Sequence, residues 1–132
     1  MRIKPLPRKV SLASINATID QVFKASNIKP EIRAQLVQDL QSHNESSRLG
    51  WPMIALIEDV STSVDKIHVP TLIIAGENDI VDPPERLLIE VKSVIDGSEM
   101  VVIEGAGHLS MLQQPEKVAE LIRDFSKRVS KT

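Results

Sequence analysis

The sequence contains no cysteine and no tyrosine, and its aromatic residues are only Phe23, Trp51 and Phe125. Without cysteine there is no disulfide, no thiol nucleophile and no thiolate metal site, a pattern that suits a reducing compartment, so a cytoplasmic location is expected. So few rings exclude a base-stacking surface and leave the core to Ile, Leu and Val. Positive charge is also scarce. Lys and Arg total 16 against 18 Asp and Glu, and the net charge of −2 provides no basic field for phosphates. Nucleic acid is therefore excluded as the expected partner. No apolar run approaches the roughly 20 residues that cross a bilayer, and the amino end MRIKPLPRKV has no long apolar segment behind its charges. Neither a membrane partner nor a signal peptide is expected.

What is present is a chain of 132 residues, 42% hydrophobic, enough for one domain with a modest core. Residues 1–9 read as an extended lead-in. Leu12, Ile15, Ile19, Val22 and Phe23 recur at helical spacing, and Ile32, Leu36, Val37 and Leu40 repeat the pattern behind Pro30, a residue suited to a first helical turn. The polar run Ser42 to Ser47 separates this pair from a third apolar stretch, Trp51 to Val60.

The character then changes. Val69 to Ala75 is a continuous aliphatic run between Pro70 and Gly76, too short for a typical helix, and reads as a buried strand. Leu87, Leu88, Val91, Val94 and Ile95 share a helical face, and Met100 to Ile103 gives a second strand. Strand, helix and strand form a βαβ unit with parallel strands and a right-handed crossover. Val118, Leu121, Ile122, Phe125 and Val129 make a last amphipathic helix opened by Pro115. The fold class is α/β: a helical, connecting segment over 1–66, then a β-α-β-α unit over 67–132, together one compact unit.

Two loops carry the chemistry, GENDIVDPPERL from Gly76 and GAGHLSMLQQPE from Gly105. Parallel strands end on one edge of the sheet about 5 Å apart, and open α/β sheets build their sites above that edge. Asp79 follows the first strand by four residues and His108 the second by five, so the two side chains can meet there. Either alone has a plain alternative: Asp79 as a turn residue, His108 as an exposed loop histidine. Their joint placement makes a pair the better reading. Asp82 reads as structural, the N-cap of a capping box with Pro83 and Glu85. His43 and His68 read as surface histidines, and no histidine has metal-ligand spacing, so neither metal nor cofactor is expected.

This arrangement resembles the carboxyl-terminal part of an α/β-hydrolase from about Ile67 to Val129: a V-P-T-L-I-I strand, G-x-x-D at Gly76 to Asp79, a helix, a strand, Gly107-His108, and a final helix begun by Q-x-P. The resemblance implies that Asp79 is the acid orienting His108 and that His108 is the base of a nucleophile–histidine–acid triad. It also makes the first helices the end of a cap. One departure is Gln113, where the family often has glutamate five residues after the histidine; this implies weaker contacts orienting the histidine.

The family's nucleophile elbow, G-x-S-x-G, is not in this sequence, since no two of Gly50, Gly76, Gly97, Gly105 and Gly107 lie four apart. The oxyanion-hole loop and earlier strands are missing with it, and Ser110 has no elbow setting to replace the nucleophile. The expectation is therefore a fragment that supplies acid and base for a small-molecule substrate once completed, inactive alone, and a homo-oligomer because a strand edge is left uncovered. The alternatives are a non-catalytic interaction domain, or a binding module with a pocket of Trp51, Met53, Leu109, Met111 and Leu112.

Overall fold

The computed structural model describes residues 10–44, 46–48, 50 and 58–131. The expected lead-in and most of the Trp51 to Val60 stretch lie outside them.

Helix α1 (Leu12–Ala17) starts where the Ser11 side chain accepts the Ser14 N–H at 3.1 Å, and it continues into a wider π-helical segment, Thr18–Val22. It ends at Lys24, a left-handed non-glycine residue (φ 50°), where the Ala25 N–H returns to the Ile19 carbonyl at 3.0 Å. Helix α2 (Pro30–Ser42) begins with proline in its first turn. Ile15, Ile19, Ala25 and Ile28 form a buried cluster, and Ile32, Leu36, Val37 and Leu40 of α2 pack on it, as their spacing predicts. A polar clamp reinforces the pair: Arg33 donates to both Asp20 carboxylate oxygens at 2.7 and 2.9 Å and to Asn16 at 2.8 Å. A short turn of helix, α3 (Ser61–Val64), precedes the sheet.

Strands β1 (Leu72–Gly76) and β2 (Glu99–Ile103) pair in parallel, with Leu72 opposite Glu99 and Gly76 opposite Ile103. The first strand starts three residues later than its apolar run suggests. Pro70 has no N–H to give a ladder, and Val69 is 66% exposed. Between the strands, α4 (Pro84–Leu87) continues into a second π-helical segment, Leu88–Lys92, and ends against buried Ile95. The expected capping box is not formed. Pro83, not Asp82, holds the N-cap position, in extended conformation (φ −59°, ψ 143°), because the residue before Pro84 is pushed out of the helical region.

After β2 come α5 (Ser110–Gln113) and α6 (Pro115–Val129), the latter with Pro115 in its first turn. The stripe on α6 is half-buried at Val118, Leu121, Phe125 and Val129, but Ile122 is 54% exposed. At the sheet the buried hydrophobic residues are Ala75, Ile95, Ile103 and Ala106.

Candidate functional site

The site is built where the carboxyl ends of β1 and β2 meet the end of α1. Beyond the strands the ladder continues into the loops: the Glu77 N–H donates to the Ile103 carbonyl at 3.0 Å and the Asn78 N–H to the Ala106 carbonyl at 2.8 Å. Two glycines permit this crowding. A Cβ at Gly76 would lie 2.2 Å from the Gly107 carbonyl oxygen, and one at Gly107 would lie 2.3 Å from the Phe23 carbonyl oxygen. Only glycine lets three backbones approach so closely.

Asp79 is buried, 8% exposed, and its two carboxylate oxygens have separate tasks. Oδ1 accepts the N–H groups of Val81 at 2.8 Å and Asp82 at 3.0 Å, which closes the turn after β1. Oδ2 lies 2.9 Å from His108 Nδ1. The two residues whose pairing the sequence predicts are therefore in contact, and the turn and pair readings of Asp79 hold together. A carboxylate only accepts, so Nδ1 is the donor, and in the neutral imidazole Nε2 is then the nitrogen with the lone pair. That is the tautomer a general base needs.

His108 is held on its other sides by the helical half. Its backbone N–H donates to the Phe23 carbonyl at 2.8 Å, and its ring stacks on the Phe23 ring with centroids 5.4 Å apart and planes at 28°. Sequence reasoning missed Phe23 as part of the site, since its helical spacing marked it only as core. Gln113 also belongs to the site's frame. Its Oε1 accepts the Gly107 N–H at 2.9 Å, while its Nε2 donates to the Lys24 carbonyl at 3.1 Å and to Asn27 Oδ1. The amide ties the histidine loop to the end of α1 with a donor that a carboxylate would lack.

The remaining candidates fall elsewhere. Asp82 stands with Oδ2 4.0 Å from His108 Nδ1, close to the pair although it caps nothing. Ser110 is buried at the start of α5. His43 and His68 are exposed. Of the suggested pocket, Trp51 and Met53 lie outside the described residues, Leu109 and Leu112 pack on the helical cluster, and Met111 is 52% exposed. A cleft of about 580 Å³ opens instead beside Asp79, lined by Lys24, Asn27, Glu77 and Asn78 among others. Among the described residues no group of three His, Asp or Glu side chains could hold a metal ion, and no helix is long and apolar enough to cross a membrane.

No family model matches the sequence. Among curated proteins, it is 39% identical over 67 residues to a pimeloyl-[acyl-carrier protein] methyl ester esterase of Neisseria meningitidis, a match covering 51% of this chain and 26% of that protein. It is 27% identical over 110 residues to the AB hydrolase superfamily protein YisY of Bacillus subtilis, covering 83% of this chain and 41% of that one. The chain thus spans between about a quarter and two fifths of the length of these relatives. Among solved structures, the bromoperoxidase from Bacillus anthracis superposes with a TM-score of 0.78 at 20% identity, covering 88% of this chain and 44% of that one. The enol-lactonase from Burkholderia xenovorans LB400 gives 0.77 at 20% identity, over 87% and 44%. Element order, a parallel pair of strands and partial coverage of larger hydrolases agree: the chain carries the carboxyl-terminal part of an α/β-hydrolase fold.

Proposed function

We propose that this chain supplies the acid and the base of a nucleophile–histidine–acid triad that hydrolyses an ester or related acyl bond of a small molecule. One observation carries the reading: the 2.9 Å contact of buried Asp79 Oδ2 with His108 Nδ1. In the proposed reaction a nucleophile hydroxyl gives its proton to Nε2 as it attacks the acyl carbon, and the Asp79 carboxylate stabilises the resulting imidazolium through Nδ1–H. On collapse of the tetrahedral intermediate the imidazolium gives its proton to the leaving group; water, deprotonated by the same Nε2, then attacks the acyl-enzyme, releasing the acid and restoring the nucleophile hydroxyl. Names among the relatives point to esters, as in the methyl ester esterase of Neisseria meningitidis.

The nucleophile and the oxyanion donors belong to sequence outside these 132 residues, because no G-x-S-x-G occurs within them. The chain alone is therefore expected to hydrolyse a generic p-nitrophenyl ester no faster than its His108→Ala variant. Turnover clearly above that variant would contradict the reading and move the nucleophile into this chain, with Ser110 the first serine to test. An in-frame G-x-S-x-G in the coding sequence upstream of Met1 would supply the missing group.

A further inference from the structure

The loop after β1 brings a second carboxylate to the same imidazole nitrogen. Asp82 Oδ2 stands 4.0 Å from His108 Nδ1, against 2.9 Å for Asp79 Oδ2. At that separation Asp82 makes no hydrogen bond, and Nδ1 has one proton to donate, so Asp79 takes it. The two carboxylates differ in freedom. The Asp79 side chain is 7% exposed and both its oxygens are engaged, whereas the Asp82 side chain is 51% exposed. The backbone of Asp82 is nevertheless fixed, because its N–H donates to Asp79 Oδ1. Arg86 feels the charge of Asp82 without pairing with it. Its guanidinium is held above its ordinary value first by the hydrogen bond to Glu90 and last by the charge of Asp82. Arg86 is thus committed elsewhere, with Nε donating to Glu90 at 2.8 Å.

We propose that Asp82 is a reserve positioning residue for His108, which accepts the Nδ1 proton when Asp79 does not. The inference rests on the triad reading above. The required movement is about 1 Å, which an exposed aspartate side chain makes by small changes in its torsions. Two acceptors on one loop would make the histidine's tautomer tolerant of the loss of either. The sequence pattern D-x-x-D at Asp79 and Asp82 places them three residues apart around a turn that folds the second back towards the first.

The test reads the tautomer of the neutral imidazole by two-bond nitrogen–proton NMR correlation at about pH 8.5, where ordinary histidines are uncharged. His43 and His68, both exposed, serve as references within the same chain. Asp79→Ser retains a short oxygen acceptor for the turn and vacates the space of Oδ2. The expected result is that His108 stays mainly Nδ1–H in Asp79→Ser and reverts to the pattern of His43 and His68 in Asp79→Ser/Asp82→Asn. A His108 in Asp79→Ser that already matches the two references overturns the reserve role and leaves the triad reading standing. A wild-type His108 that matches them overturns both. If Asp79→Ser does not fold, Asp79→Asn replaces it. There the amide donates to Nδ1 and favours the opposite tautomer, so Asp82 shows as a residual Nδ1–H fraction that Asp79→Asn/Asp82→Asn lacks. Equal fractions in those two variants overturn the proposal.

Discussion

Asp79 shows how one side chain can satisfy a structural and a chemical demand at once. Its Oδ1 holds the Val81 and Asp82 N–H groups, and this fixes the carboxyl plane so that Oδ2 meets His108. Orientation of the carboxylate is therefore obtained from the turn itself. Gln113 works similarly at longer range, since its amide joins Gly107, Lys24 and Asn27 and so fixes the backbone on both sides of the Phe23–His108 stack. Such an amide is legible as a departure from a family pattern, but its partners are not. Lys24 and Asn27 lie 89 and 86 residues away, and no local spacing reports so distant a contact.

At the scale of the element, the α1–α2 pair depends on its clamp as well as on its apolar seam. The Arg33 hydrogen bond, and secondarily its charge, holds the Asp20 carboxyl below its ordinary 3.8, although burial opposes this. A depressed carboxyl contributes stability that is present above its unfolded value and is lost as pH falls through its folded value. Asp20→Asn is accordingly expected to be less stable than wild type at neutral pH, with the difference lost as pH falls below the ordinary 3.8 and through the depressed folded value. Because the Asp20 side chain is 41% exposed, the neutral-pH loss is put at roughly 0.5 to 1 kcal/mol, readable from urea midpoints. A difference that persisted in acid would assign the effect to packing.

The longer helices were legible from apolar periodicity, both strands from short continuous apolar runs, and Pro30 and Pro115 marked two helix starts; the single turns α3 and α5 have no such pattern. The start of β1 and the cap of α4 were not. Hydrophobicity drew Val69 into the strand, while the missing N–H of Pro70 and the constraint of Pro84 on Pro83 decided the outcome. The π-helical segments also carry no signal in a spacing pattern that tolerates one residue more or less per turn.

For the whole molecule, two small cores share one junction. The helical cluster centres on Ile19 and the sheet on Ala75 and Ile103; between them lie Phe23, Gly107 and His108. The site therefore reports whether the two halves are joined. Among the described residues β1 pairs only with β2, and Leu88, Ile89 and Val102 are 54%, 69% and 46% exposed. That much bare apolar surface predicts self-association of the chain at micromolar concentration, most simply as a two-fold dimer. Sedimentation velocity tests this, and a lone 14.6 kDa species across that range would contradict it.

If Asp79 sets the tautomer of His108, nitrogen NMR of the imidazole shows it in a comparison of wild type with Asp79→Asn. In the variant, the carbonyl oxygen must stay with the Val81 and Asp82 N–H groups, so the amide turns a donor towards Nδ1. His108 is expected to be mainly Nδ1–H in wild type and mainly Nε2–H in Asp79→Asn, the tautomer that disables a base in this setting. The same tautomer ratio in both proteins would contradict it.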